Sequence, residues 1–147
     1  MKVVIQRCKY GSVTVDEKLI NEINHGYVIL VGFNILDDET DIDYIVRKVI
    51  NLRIFDDENG VMNKNIIDAK GEILSISQFT LEGSTKDGNR PSYVNAMKGD
   101  KAVILYDLFN KKLNEHVKTY SGVFGADMKV NILNDGPITI IIDSKNK

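Results

Sequence analysis

Tryptophan is absent from the 147 residues, cysteine occurs once, and proline and histidine occur twice each. Each scarcity excludes something. A lone thiol, Cys8, cannot staple the fold through a disulfide within the chain, so a reducing compartment is the natural setting and Cys8 reads as a small core hydrophobe. His25 and His116 stand far apart, with no cysteine, histidine or carboxylate at metal-ligand spacing. No metal centre is therefore expected, and both read as surface or turn residues. Long apolar runs are also missing. None approaches the roughly 18 residues of a membrane span, and in Met1-Lys2-Val3-Val4-Ile5-Gln6-Arg7 charge returns before a secretory apolar core forms. A cytoplasmic protein is expected, with no membrane association. Nor is there an excess of one charge. Nineteen basic against twenty-one acidic residues give a net charge of −2, which argues against a polybasic nucleic-acid coat and against DNA as a partner, while leaving room for a local basic patch.

What is present is 43% hydrophobic residues, enough for one domain spanning 1–147, since chains of roughly 100–200 residues usually form one. Val3-Val4-Ile5, Ser12 to Val15, Leu19 to Ile23 and Tyr27 to Val31 are β-branched or aromatic runs broken by Gly11, Asp16-Glu17 and Asn24-His25-Gly26. These predict strands in hairpins, with the nearly all-apolar Tyr27–Phe33 run as a central strand. An acidic cluster at 37–41 precedes Ile42, Ile45, Val46, Val49 and Ile50, the spacing of an amphipathic helix. Leu52 to Phe55 predicts a short strand, and Asn59-Gly60 a tight two-residue turn. A calcium loop is rejected there, because placing Gly60 at its sixth position puts Phe55 where a carboxylate is needed. Ile73 begins a buried strand that runs into a polar loop over 82–91. A second helix opens at Asp100, with Ala102, Val103, Tyr106, Phe109, Leu113 and Val117 on one stripe. From Tyr120 the strand signal returns through Met128 to Leu133, breaks at Asn134 to Pro137, and ends in Ile138 to Ile142. The fold class predicted is α+β: a single domain on a mainly antiparallel, curved or barrel-like β-sheet with two main helices packed outside.

Standard catalytic signatures are missing: no P-loop, no glycine-rich dinucleotide turn, no Gly-x-Ser-x-Gly elbow. Two polar interruptions of apolar strands stand out instead, Ser77-Gln78-Phe79-Thr80-Leu81 and Asn134-Asp135-Gly136-Pro137-Ile138-Thr139. Taken singly, the first reads as strand residues with a solvent-facing Gln78, and the second as a plain turn.

Together these segments resemble the D-aminoacyl-tRNA deacylase family, also described as D-tyrosyl-tRNA deacylases. Ile5-Gln6-Arg7, Leu52-Arg53-Ile54-Phe55, Asn89-Arg90-Pro91-Ser92 and Phe124-Gly125-Ala126-Asp127-Met128 support the resemblance, in family order from the first strand to the last. It implies a hydrolase that cleaves the ester of D-aminoacyl-tRNA, and of glycine mischarged on alanine tRNA, without a cofactor. It implies a homodimer holding the acceptor end of tRNA, with Ser77, Gln78, Phe79 and Thr80 of one subunit as the catalytic segment. Gly136 and Pro137 of the other subunit, joined by a cis bond, would reject L-residues by steric clash. Thr80 is the family's candidate nucleophile, yet no adjacent base activates it. Backbone N–H groups around Phe79 and Thr80 are the preferred oxyanion site, with the substrate's 2′-hydroxyl assisting water and Ser77 and Gln78 fixing the loop and the terminal adenosine. Arg7 is assigned as a support for the Gly-Pro segment, with a surface ion pair as the competing reading. Lys86, Arg90 and Lys98 are candidates for tRNA phosphates, against an ordinary solvated face. Two other classes stay open: a non-catalytic β-rich module that binds RNA or oligomerises, against which the scattered aromatics argue, and an esterase for free amino-acid esters.

Overall fold

The computed structural model describes all residues from Met1 to Lys147. Eight strands and two α-helices follow in the order β1 (Lys2–Val15), β2 (Lys18–Ile23), β3 (Gly26–Gly32), α1 (Glu39–Asn51), β4 (Phe55–Asp56), β5 (Met62–Lys64), β6 (Glu72–Ser77), α2 (Gly99–Asn114), β7 (Thr119–Ser121) and β8 (Lys129–Asp143). A 3-10 turn over Phe79–Glu82 follows β6. Neither helix is long and apolar enough to cross a membrane.

β1 organises the sheet. Along one edge it pairs antiparallel with β8, from Lys2 opposite Asp143 to Thr14 opposite Lys129. Along the other it pairs with β3 through residues 2–8 and with β2 through residues 11–15. Gly11, expected to break this strand, lies inside it. A Cβ there would meet Val28 Cγ2 at 2.5 Å, so the glycine serves packing rather than a turn.

β6 runs parallel to β3, and β7 parallel to β6, which corrects the expectation of mainly antiparallel pairing for this half of the sheet. The reason is the connections. α1 lies between β3 and β6, and α2 between β6 and β7, and such crossovers return the chain to the end from which it started. The sheet then curls: β2 lies against β6 and β7, and Asn21 Nδ2 donates to Ser121 O at 2.6 Å. A six-residue core of Cys8, Val13, Ile23, Val28, Leu74 and Ile76 fills the curl, while twenty buried residues, including Ile42, Ile45, Tyr106 and Phe109, join both helices to the outer face. Burial pushes the Cys8 thiol up to about 11, consistent with a packing role.

α1 begins with a capping box, Asp38 accepting from Thr40 N while Asp41 accepts from Asp38 N. Two local expectations are corrected. The strand predicted over 52–55 is only Phe55–Asp56, and Asn59-Gly60 does not form a two-residue turn. Asp57 N donates to Val61 O, enclosing three residues, and Gly60 takes a positive φ of 73°. The Asp57 carboxylate accepts from Asn59 N and Val61 N, which favours this wider loop.

Candidate functional site

β6 ends at Ser77, opposite Val31 of β3, and the chain there leaves the sheet for the 3-10 turn. This departure opens a cavity of about 470 Å³ between the sheet end and the start of α2. Val31 and Phe33 form one wall, Ile76, Ser77, Gln78 and Phe79 a second, and Met97, Gly99 and Ala102 a third; Phe124 to Met128, with Val130, complete it. The volume suits a small ligand and the lining is largely apolar. Its one carboxylate, Asp127, pairs with Lys129 at 2.9 Å. Tyr106 packs behind Phe124 with ring centroids 5.6 Å apart, and its hydroxyl donates to Ser75 O at 2.7 Å, tying α2 to β6.

Phe79 and Thr80 occupy the first turn of the 3-10 segment, and no side chain caps it. Their N–H groups are therefore of the kind that a helical start leaves unpaired. Gln78 Nε2 donates to Thr80 Oγ1 in a short contact, so one lone pair of that hydroxyl is already engaged. Behind the turn, the buried Glu82 accepts from Asn34 Nδ2 at 3.0 Å and pairs with Lys2 at 3.4 Å, holding the segment against β1 and the end of β3.

The second motif lies elsewhere. Gln6 pairs with Thr139 and Cys8 with Asn134, so residues 135–138 all stand opposite Arg7 and project from the ladder as a large bulge inside β8. The Gly136-Pro137 bond is cis, and both residues are exposed. Gly136 has a φ of +120°, and a Cβ on it would sit 2.8 Å from Ile138 Cγ1 and 3.3 Å from Arg7 Nη2, so only glycine fits. Arg7 is buried rather than a surface ion-pair residue. Its Nη1 donates to Ile54 O at 2.7 Å, its Nε approaches both the backbone and the carboxylate oxygens of Asp135 at 3.3 Å, and Asp56 lies 3.6 Å away.

Ser77, Gln78 and Phe79 thus line the cavity, and Thr80, which does not, follows them in the 3-10 turn. Lys98 immediately precedes α2 at the rim, whereas Lys86 and Arg90 are exposed on the loop pinched at its base by the Ser84–Ser92 bridge. Gly136 and Pro137 do not join this group within one chain. In register, Ser77 is level with Val3 and the bulge with Arg7, four residues further along β1. With β6 and β8 three strands apart, the offset is roughly 13 Å along the strands and 14 Å across them.

Sequence reasoning missed two features. The Phe124–Met128 segment was a supporting motif only, yet it forms a cavity wall; an aromatic followed by glycine, here with φ 78° at Gly125, was the available signal. Asn134 was part of a motif without a role. Its Nδ2 donates to Arg7 O at 3.0 Å and to Ile138 O at 2.9 Å, closing the neck of the bulge.

Comparison with known proteins matches residues 4–143 to the family model described as D-Tyr-tRNA(Tyr) deacylase. A D-aminoacyl-tRNA deacylase of Bacteroides fragilis (strain YCH46) is 56% identical over 151 residues, covering 100% of this chain and 99% of its own. One from Flavobacterium psychrophilum is 53% identical, with the same coverage. Among solved structures, the c-Myc DNA Unwinding Element Binding Protein superposes with a TM-score of 0.93 at 39% identity, covering 97% of this chain and 98% of that one. A probable eukaryotic D-amino acid tRNA deacylase shares the fold, with a TM-score of 0.82 at 16% identity over 96% of this chain and 97% of its own. A family model matched over residues 4–143 and full-length relatives of more than half identity show that this chain belongs to the D-Tyr-tRNA(Tyr) deacylase family of hydrolases.

Proposed function

We propose that this protein hydrolyses the ester between a D-amino acid and the terminal ribose of tRNA, acting as a homodimer in which Gly136-Pro137 of one copy reaches the cavity of the other. The observation that carries this reading is the position of the two motifs. One chain has a receptive cavity and, well away from it in register, an exposed backbone segment held outward by Arg7 and Asn134. A second copy is the natural source of the missing piece.

The terminal adenosine occupies the apolar cavity, and the ester carbonyl faces the free N–H groups of Phe79 and Thr80, which stabilise the developing oxyanion. No protein base lines the cavity besides the ion-paired Asp127, so the ribose 2′-hydroxyl assists the attacking water. Thr80 positions rather than attacks, because its oxygen already accepts from Gln78 and no base stands beside it. Carbonyl oxygens of the Gly-Pro segment accept from the substrate ammonium and leave no space for an L side chain, whereas D side chains of many kinds, and glycine on alanine tRNA, are admitted. Lys98 at the rim and the cations of the 84–92 loop meet the phosphates of the acceptor end, so a net charge of −2 is no obstacle.

The deciding experiment is release of amino acid from D-tyrosyl-tRNA beside L-tyrosyl-tRNA. Hydrolysis confined to the D-ester is expected; equal rates, or release from neither, overturns the proposal. Thr80→Ala should retain a rate within about tenfold of wild type, whereas a loss of about 10⁴-fold with intact folding makes Thr80 the nucleophile.

A further inference from the structure

The aromatic side chains are mostly buried or tied to the core, with one exposed pair beside the cavity. Phe79, 58% exposed, stands edge-on to Tyr93, 39% exposed, with ring centroids 5.1 Å apart. Tyr93 does not line the cavity; it lies one ring beyond it. Its ring rests on Gly83, where an added Cβ would meet Tyr93 Cε1 at 2.9 Å, so the absence of a side chain there lets the ring lie down. The backbone beneath is fixed on both sides: Ser84 and Ser92 exchange N–H···O bonds of 2.9 and 2.8 Å immediately before Tyr93, and Ala96 N donates to Tyr93 O at 3.0 Å after it. A large apolar side chain held this firmly at the surface, at the rim of a small-molecule cavity, is a platform without an occupant in the chain itself.

We propose that Tyr93 is the stacking surface for the base of the penultimate nucleotide, the cytidine that precedes the terminal adenosine of every tRNA. The inference rests on the reading above, in which the cavity takes that adenosine. Two observations favour a base over another protein segment. The platform is continuous with the cavity through Phe79, as consecutive nucleotides require. The loop that ends at Tyr93 carries Lys86 and Arg90 on its exposed part, cations suited to the phosphates leading away from that base. Stacking on a π-face is indifferent to tRNA identity, and so is the sequence of the terminal CCA.

The test compares D-tyrosyl-tRNA with the 3′-D-tyrosyl esters of adenosine and of the dinucleotide cytidylyl-adenosine. Wild type should gain in kcat/KM on going from the adenosine ester to the dinucleotide ester, chiefly through KM. Tyr93→Ala should remove that gain, losing about tenfold on the dinucleotide and on tRNA while keeping the wild-type rate on the adenosine ester. Tyr93→Phe should restore the gain. An equal loss on all three esters, or an altered sedimentation coefficient, would show that Tyr93 props the site or joins copies of the chain, and overturns the proposal. So does an unchanged gain in the alanine variant. Failure of wild type on every D-ester would instead sink the parent reading, so the two failures are distinguishable.

Discussion

The cavity and the bulge are built by opposite means. The cavity is a hollow that arises because strand β6 stops and several segments fail to meet behind Ser77. The bulge is a protrusion made by excess: four residues stand where the ladder has room for one. A hollow lined by side chains tolerates exchange among apolar residues of similar size. The protrusion is made of backbone, carries a glycine with no steric freedom, and depends on two particular supports, Arg7 and Asn134. The shape of the hollow can therefore drift, whereas that of the protrusion is held fast.

Hollow and protrusion can be damaged separately. Gly136→Ala should have the largest effect, because the Cβ meets Ile138 and Arg7 at a φ of +120°. A shift of about 1 Å in a positioned group can cost about 10²-fold in rate, and a similar loss is expected on D-tyrosyl-tRNA. Gly99→Phe fills the hollow alongside Phe124, where a Cβ at Gly99 has space, and should be equally inactive. Mixing and reassociating the two variants should restore about a quarter of wild-type activity, since half the dimers are mixed and each holds one intact site. No recovery on mixing would mean that hollow and protrusion serve in the same chain.

A smaller effect is expected at Asn134. Removing its amide leaves the Arg7 and Ile138 carbonyls without their donor, a cost of about 1–3 kcal/mol. Asn134→Ala should therefore lower kcat on D-tyrosyl-tRNA by about tenfold, with little change in KM. Asn134→Asp, which turns an acceptor toward two carbonyl oxygens, should do worse. Equal kinetics for both variants and wild type would show that the neck of the bulge needs no clasp.

The smallest effect separates the two ends of the β1–β8 ladder. At the cavity end, the N-terminal ammonium lies 2.6 Å from the buried Asp37 carboxylate and donates to Ser144 Oγ, while Lys145 donates to Asp41 at 2.8 Å. Burial works to raise the Asp41 carboxyl, but hydrogen bonds from Lys145 and Ser144 outweigh it and bring it down from 3.8 to about 2. Stability from Asp41 is thus fully present above about pH 4 and is lost as the pH falls toward 2. With Lys145 half exposed, the contribution is of order 1–2 kcal/mol, or about 4 °C in Tm. Thermal melts at pH 7 and pH 3 should show Asp41→Asn flattening that dependence; an unchanged slope would remove Asp41 as its source.

Much of the fold was legible in the sequence because the relevant forces are local. The alternation of β1, the spacing of Ile42, Ile45 and Val49, and the all-apolar β3 each declare their element. Gly11 misled because its reason is a neighbour, Val28, distant in sequence. Parallel pairing was hidden for a similar cause: nothing in β6 itself distinguishes a parallel from an antiparallel partner, and the crossovers decide. In the site, Ser77–Thr80 and Gly136-Pro137 stood out as polar breaks in apolar strands. Phe124–Met128 and Tyr93 did not, since a wall or a platform is a relation between segments that no single segment displays.

β1 touches both halves, with Lys2 and Val3 level with the cavity turn and Arg7 beneath the bulge. It therefore works as a ruler. The distance between the cavity turn and the bulge is counted in residues of a single strand, so it changes in whole steps. Deleting one residue between Val3 and Arg7 would invert every later side chain on the strand, and deleting two would keep the faces but draw the halves together by about 7 Å. The spacing between hollow and protrusion is thus written as an integer, four, which leaves no small mutational adjustment by which the two could gradually fall out of alignment.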